Sequence, residues 1–359
     1  MAVRVKVRLS KQIIVPIRFT RAVTGPPVAD APEVDDRGFG PWTRPASWGA
    51  SDYRGAMVSL AAGDTVRIKV LREEIDSSAP LFITSSDRKI ASVVEPAPGQ
   101  PLAGDGIFRL KGESDQANRP VKIQVRLGAA DGPVLGELEP HIFQMRVLRV
   151  RVHLVTINGV ATTRTANSMV SVFDDINVIW RPVGIRFDYD PALTRAETVT
   201  GFAVPGQMTT NLSGGNWTEF STLINLHPDP NRINMYCVRT ANEVFGLTFA
   251  NTVARPNGYG IVIADNSTAN SNAHELCHYL DNPEHAHENA ARTNVRTDIW
   301  ARRRLMWTPS PYPNATPAYR NDVGYGAQLR GAQITVKDLA GDPWDGETAR
   351  ARRRSLNPY

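Results

Sequence analysis

Two histidines four residues apart, His274 and His278, enclose Glu275, Leu276 and Cys277 in the pattern HExxH. That spacing makes structural demands. The stretch has to be helical, because on a helix residues four apart share one face about one turn, ~6 Å, apart. Two imidazoles so placed can grip one zinc ion, and the chain must then reverse to bring back a third ligand. Two further histidines, His285 and His287, follow within nine residues, so four of the chain's seven histidines lie in one fourteen-residue window. Glu275, next to the first histidine, points toward the open side of such a metal rather than at it. This is the layout of a hydrolytic zinc site.

The flanks meet these demands. Gly260 to Ala264 reads as a strand, and Asn266, Ser267, Thr268, Ser271 and Asn272 behind it are each suited to capping a helix. Asp281-Asn282-Pro283 then ends the helix. Asparagine tolerates a left-handed turn, and a residue before proline is pushed out of the helical region. Cys277 faces away from the two histidines and reads as a packing residue. Cys237 is the only other cysteine, and nothing in the sequence pairs the two.

Upstream the chain divides into three stretches. Residues 1–55 hold one or two strand-like runs, then a Pro-, Gly- and Asp-rich arm from Val23 to about Tyr53. Residues 56–146 read as short alternating strands between turns, among them Thr65 to Leu71, Pro80 to Thr84, Gly106 to Leu110 and Val121 to Leu127. That spacing predicts an all-β sandwich, with an immunoglobulin-like topology as one form of it, although no Cys…Trp…Cys hallmark is present. Residues 147–359 change character. Val147 to Ile157 is a strand, Met169, Phe173, Ile176 and Trp180 form a helical stripe, and Pro182 and Gly184 lead into the strand Ile185 to Tyr189. Ile233 to Val238, Gly246 to Ala250 and Gly260 to Ala264 are three more strands, so an α/β layer with a mixed sheet is expected.

With the turn after His278 and a methionine further on, at Leu305-Met306-Trp307, this arrangement resembles the metzincin clan of zinc metallopeptidases. The clan pattern is HExxHxxGxxH. Here Asp281 stands at the glycine and Glu284 at the third histidine, with His285 one residue later. The resemblance covers about Val147 to Leu339 and implies a zincin-type catalytic domain carrying one zinc ion. His274 and His278 would be ligands. The preferred third is His285, on imidazole's suitability for zinc, with Glu284 as the alternative and His287 needing a longer loop. Met306 would form an apolar floor beneath the metal. Thr308 occupies the position of an extra tyrosine ligand found in some members, so no such ligand is expected. Tyr312 and Tyr319 are candidates for lining the substrate pocket.

The implied activity is that of an endopeptidase in which Glu275 takes a proton from the zinc-bound water. The partner would be a protein or peptide lying extended along an edge strand, either Gly246 to Ala250 or Gly260 to Ala264. The alternative is a non-catalytic binding or carrier protein, with a structural or vestigial zinc site, acting through its N-terminal β-domain and a docking partner for it. The net charge of +5 concentrates in Arg302 to Arg304 and Arg350 to Arg354, and no nucleic-acid module accompanies it. No apolar run reaches the ~20 residues of a membrane span. The N-terminus alternates charge with valine and leucine and carries no secretory signal, so a cytoplasmic site or signal-independent export is expected.

Overall fold

The computed structural model describes residues 17–21, 56–72, 75–76, 78–114, 121–209, 217–242, 244–249 and 260–281. These residues are mostly β-sheet with few helices. The first eight strands are β1 (Ile17–Arg21), β2 (Ala56–Ala61), β3 (Thr65–Arg72), β4 (Leu81–Ser85), β5 (Ala91–Glu95), β6 (Ile107–Gly112), β7 (Ile123–Leu127) and β8 (Val134–Phe143). They form two four-stranded sheets, β1-β3-β6-β5 and β2-β8-β7-β4. β4, β6 and β7 alternate, and inward residues of the two sheets meet. Ile68, Val70, Phe108 and Leu110 from one sheet share a single buried cluster with Val58, Leu81, Ile123, Val125 and Leu138 from the other. β1 contributes Ile17 and Phe19 to this core and pairs along β3, so the early strand is part of a sheet.

The next elements are β9 (Arg146–Ile157), β10 (Val160–Ala161), α1 (Ala166–Trp180), β11 (Ile185–Tyr189), β12 (Arg195–Val199), β13 (Gln207–Met208) and α2 (Thr218–Ile224). Then come β14 (Ile233–Val238), β15 (Thr240–Ala241), β16 (Gly246–Phe249), β17 (Gly260–Ala264) and α3 (Ala269–Asp281). A seven-stranded mixed sheet runs β10-β9-β14-β17-β16, with β11 and β12 paired in succession along the other side of β9. All pairings in it are parallel except the β9–β10 hairpin and β16, which runs antiparallel to β17.

The apolar stripe expected for α1 is buried as a set, Met169, Phe173, Ile176 and Trp180, and the helix lies on one face of the sheet beside α3. Thr165 and Ser168 close its first turn in a reciprocal capping box. Gly184, at a φ of 67°, ends the short turn that follows and sends the chain into β11. Arg181, just past α1, holds Asp64 of the β2–β3 turn through two nitrogens, Nε donating at 2.6 Å. The other face of the sheet is covered by α2, where Phe220, Leu223 and Ile224 pack on Val155, Ile157, Tyr236 and Val262.

β9 changes its buried face along its length. Leu148, Val150 and Val152 point to the α1–α3 side, whereas from His153 onward the opposite face is also closed. His153 is fully buried and stacks on Tyr236 with ring centroids 4.3 Å apart. Asn234 on β14 donates through Nδ2 to the Asp229 and Arg232 carbonyls, at 2.9 and 3.0 Å. Its Oδ1 accepts from the Asp229 N–H at 2.8 Å and faces His153 Nε2 at 3.1 Å. With the amide so oriented, Nε2 is the nitrogen that carries the ring proton. Nδ1 faces Glu197 Oε1 at 3.2 Å, a contact that favours the charged ring, but burial outweighs it and holds the His153 pKa below its ordinary value. Replacing Asn234 by Ala strips a buried donor and several backbone groups of their partner at once. Urea unfolding of Asn234→Ala is expected to show a loss of about 2–3 kcal/mol.

Candidate metal centre and general base

β17 runs buried through the middle of the sheet and delivers the chain to α3 in four residues. That turn is tied down from two sides. The Asp265 carboxylate accepts from the Thr163 N–H at 2.7 Å and from the hydroxyls of Thr162 and Thr163, while Arg164 Nη2 donates to the Asp265 and Ser267 carbonyls at 3.0 and 2.6 Å. Of the five capping candidates Thr268 takes the role, its Oγ1 accepting from the Ser271 N–H at 3.3 Å. Buried Asn272 then donates through Nδ2 to the Thr268 carbonyl at 2.6 Å.

The helix is rotated by its apolar face. Ala273, Leu276, Cys277 and Leu280 enter the core shared with α1, β14 and β17. Cys277 is a packing residue, and neither it nor Cys237 forms a disulfide. One consequence is that His274 and His278 face outward together, both partly exposed, with their Nε2 atoms 3.1 Å apart and their rings nearly perpendicular at 82°. A tetrahedral zinc with Zn–N bonds of ~2.0–2.1 Å holds two nitrogens roughly 3.4 Å apart. The observed separation suits a shared N–H···N bond when one ring nitrogen is protonated, and a common cation when neither is. The donor pair fits a zinc ion in type and spacing.

Glu275 turns the other way, into the interface with β16, and is 7 % exposed. A Cβ added to Gly246 would lie 2.7 Å from Glu275 Cγ, so the strand accommodates the glutamate only because position 246 has no side chain. Two residues on, the Thr248 hydroxyl donates to the Glu275 carbonyl at 3.0 Å. The ladder places the Thr248 backbone as well. Ala264 N–H donates to the Phe245 carbonyl at 3.0 Å, which makes Gly246 and Ile263 a non-bonded pair. Thr248, two residues further, therefore directs its N–H and C=O away from β17. One carboxyl oxygen, Oε2, is buried without a hydrogen-bond partner. Burial pushes the Glu275 pKa up to about 7, against the pull of hydrogen bonding from the Thr248 side chain and backbone.

The structure thus brings together three of the residues singled out in the sequence, His274, Glu275 and His278. His285, Glu284, His287, Met306, Tyr312 and Tyr319 lie outside the described residues, as does the arm from Val23 to Tyr53. Among the described residues no group of three or more His, Cys, Asp and Glu side chains is placed to hold a metal ion. One expectation is corrected. β17 is no edge strand, since β14 and β16 flank it, whereas β16 pairs with β17 alone among the described residues. A groove of about 390 Å³ between α1 and β11, lined by Val170, Phe173, Asn177 and Arg181 among others, has no α3 residue in its wall and lies apart from this centre. No described helix is long and apolar enough to cross a membrane. Gly246 and Thr248 went unnoticed in the sequence, because only strand pairing reveals which residues of β16 face the helix.

No protein-family model matches the chain, and no curated protein matches it in sequence.

The raised pKa has a measurable consequence in metal-free protein. A carboxyl that stays protonated in the folded state while its unfolded counterpart ionises leaves stability intact at low pH. Stability is then lost as pH rises from the ordinary value of 4.5 toward about 7. Urea unfolding of chelator-treated protein is expected to show wild type losing about 3 kcal/mol relative to Glu275→Gln across that window. Parallel pH profiles for the two proteins would contradict the burial of the carboxyl.

Proposed function

We propose that the chain is a zinc-dependent endopeptidase of the metzincin kind, with a zincin-type domain built on the mixed sheet. The observation that carries this reading is the single helical turn that presents two converging imidazoles and, between them in sequence, a buried carboxyl packed against β16, a strand that pairs with β17 alone among the described residues. A purely structural metal site has no use for that carboxyl. The order of strand, long helix, further strands and the helix that carries the motif also supports the reading.

In this reading His274 and His278 hold the metal together with a third ligand, His285 or Glu284. Zinc, when bound there, supplies a Lewis acid that lowers the pKa of water to about 7 and stabilises negative charge on a peptide carbonyl oxygen. The chain's own residues do the rest. Adjacency to His274 keeps Glu275 near the metal's open side without making it a ligand, so it can accept the proton of the attacking water and pass it to the departing amine. Its desolvated surroundings suit that task, since a base with a pKa near neutrality accepts and returns a proton with little loss. β16 offers its outer edge to an extended peptide, which would bind by main-chain hydrogen bonds.

The test is metal content and hydrolysis of an unstructured protein, with and without a chelator. Wild type is expected to carry about one zinc per chain and to lose activity on chelation, and Glu275→Gln to retain zinc while losing ~10²–10⁴-fold in rate. If the chelator leaves hydrolysis untouched, or the glutamine variant digests protein as fast as wild type, the reading fails. Bound zinc with no hydrolysis by wild type would favour a carrier or binding protein instead.

A further inference from the structure

The mechanism above assigns β16 only its outer edge, yet the strand's helix-facing side is shaped around one residue of α3. Gly246 and Thr248 are two apart, so they share that side of the strand. Gly246 lies against the Glu275 side chain, where an added Cβ would meet Cγ at 2.7 Å and Cδ at 3.1 Å. Its backbone shows no left-handed φ, so alanine is conformationally acceptable and what opposes it is contact, with the glutamate first and with Ile263 Cδ1 at 2.9 Å. Thr248 grips the same residue by its main chain, the hydroxyl donating to the Glu275 carbonyl at 3.0 Å. One strand thus limits both the path of the side chain and the position of the backbone it springs from.

We infer that Gly246 and Thr248 are positioning residues for Glu275, a slot and a clamp on the edge strand that hold the general base in its working place. This deepens the peptidase reading and rests on it for the catalytic consequence, while the cradle itself is a matter of contacts and can be tested without activity. Neither residue is an acid, a base or a metal ligand in that reading, although Thr248 also hydrogen-bonds the Glu275 carboxyl. Their effect is on where the carboxyl sits, and displacement of a catalytic group by about 1 Å can cost ~10²-fold in rate.

The test has two arms on the full chain. In chelator-treated protein, urea unfolding of Gly246→Ala, Glu275→Ala and the double variant forms a cycle. If Gly246 is the slot, Gly246→Ala raises the unfolding constant about tenfold or more with Glu275 present and by at most about threefold in the Glu275→Ala background, the difference being the coupling between neighbours. Equal effects in both backgrounds would overturn the slot. Ile263 Cδ1, 2.9 Å from the added Cβ, is common to both and cancels. In zinc-loaded protein, Thr248→Val is expected to lower kcat about tenfold with KM within about twofold and zinc content unchanged, and Thr248→Ser to restore most of the loss because it keeps the hydroxyl. An unchanged kcat in the valine variant, or an equal loss in valine and serine variants, would overturn the clamp. Absence of hydrolysis by zinc-loaded wild type would sink the peptidase reading and the clamp's catalytic role with it, and the unfolding cycle would still decide whether the slot exists.

Discussion

A carboxyl oxygen buried without a partner costs free energy, and something in the surrounding structure has to offset it. Here the offset is the packing of α3. Ala273, Leu276, Cys277 and Leu280 commit one face of the helix to the core, and the Asp265–Arg164 ties with Asn272 fix where the helix starts. Successive residues are ~100° apart around a helix, so once that face is committed the rest follows. His274 and His278 must look outward together, and Glu275 must enter the seam with β16. The convergence of the imidazoles and the burial of the carboxyl are therefore two results of one rotational setting. That setting belongs to the hydrophobic core rather than to the polar residues themselves.

The two sides of the mixed sheet are finished differently. β11 could expose a free edge, but Asn177 reaches from α1 to its backbone, accepting from the Phe187 N–H at 2.7 Å and donating to the Phe187 carbonyl at 2.9 Å. A side-chain amide there imitates the next strand and closes the ladder, one of the ways a protein protects an edge from unwanted pairing. At β16 the outward backbone groups of Thr248 face the side on which the glutamate lies. Sheet termination at one end is thus structural, and at the other it coincides with the buried glutamate.

Much of this was legible in the sequence, and the exceptions have a common cause. Periodicity located β3, β9 and α1, because their apolar spacing records the faces they bury. The motif and its polar approach also located His274, Glu275 and His278. What did not show is information held in pairing. Gly246 to Ala250 and Gly260 to Ala264 read as equivalent candidates for an edge, since nothing in either run states its neighbours. Only the sheet order separates the central strand from the outer one. Thr248 and Gly246 are unremarkable letters until the register puts them under Glu275, and Asn234 and Glu197 give no sign that they surround a histidine distant along the chain. β12 and α2 lie between Tyr189 and Ile233, where Gly, Asn and Thr dilute any apolar pattern, although Phe220, Leu223 and Ile224 there cover the second face of the sheet.

On the proposed reading, the dependence of the base on β16 links two tasks that are separable in principle. Were Glu275 held by α3 alone, movement of the edge strand would change the fit of a bound peptide and leave the base where it was. With Gly246 against its side chain and Thr248 on its carbonyl, the base shares its frame with the strand along which a peptide would lie. Any displacement of β16 carries both, so the distance between the carboxyl and a peptide paired to that strand varies less than either position does. Such correlated placement favours proton transfer, which needs donor and acceptor within about 2.6–3.2 Å. It also sets a limit on substitution. Residues on the helix-facing side of β16 are constrained by the glutamate, whereas the side chain of Phe245, just before the strand, is exposed and escapes that constraint.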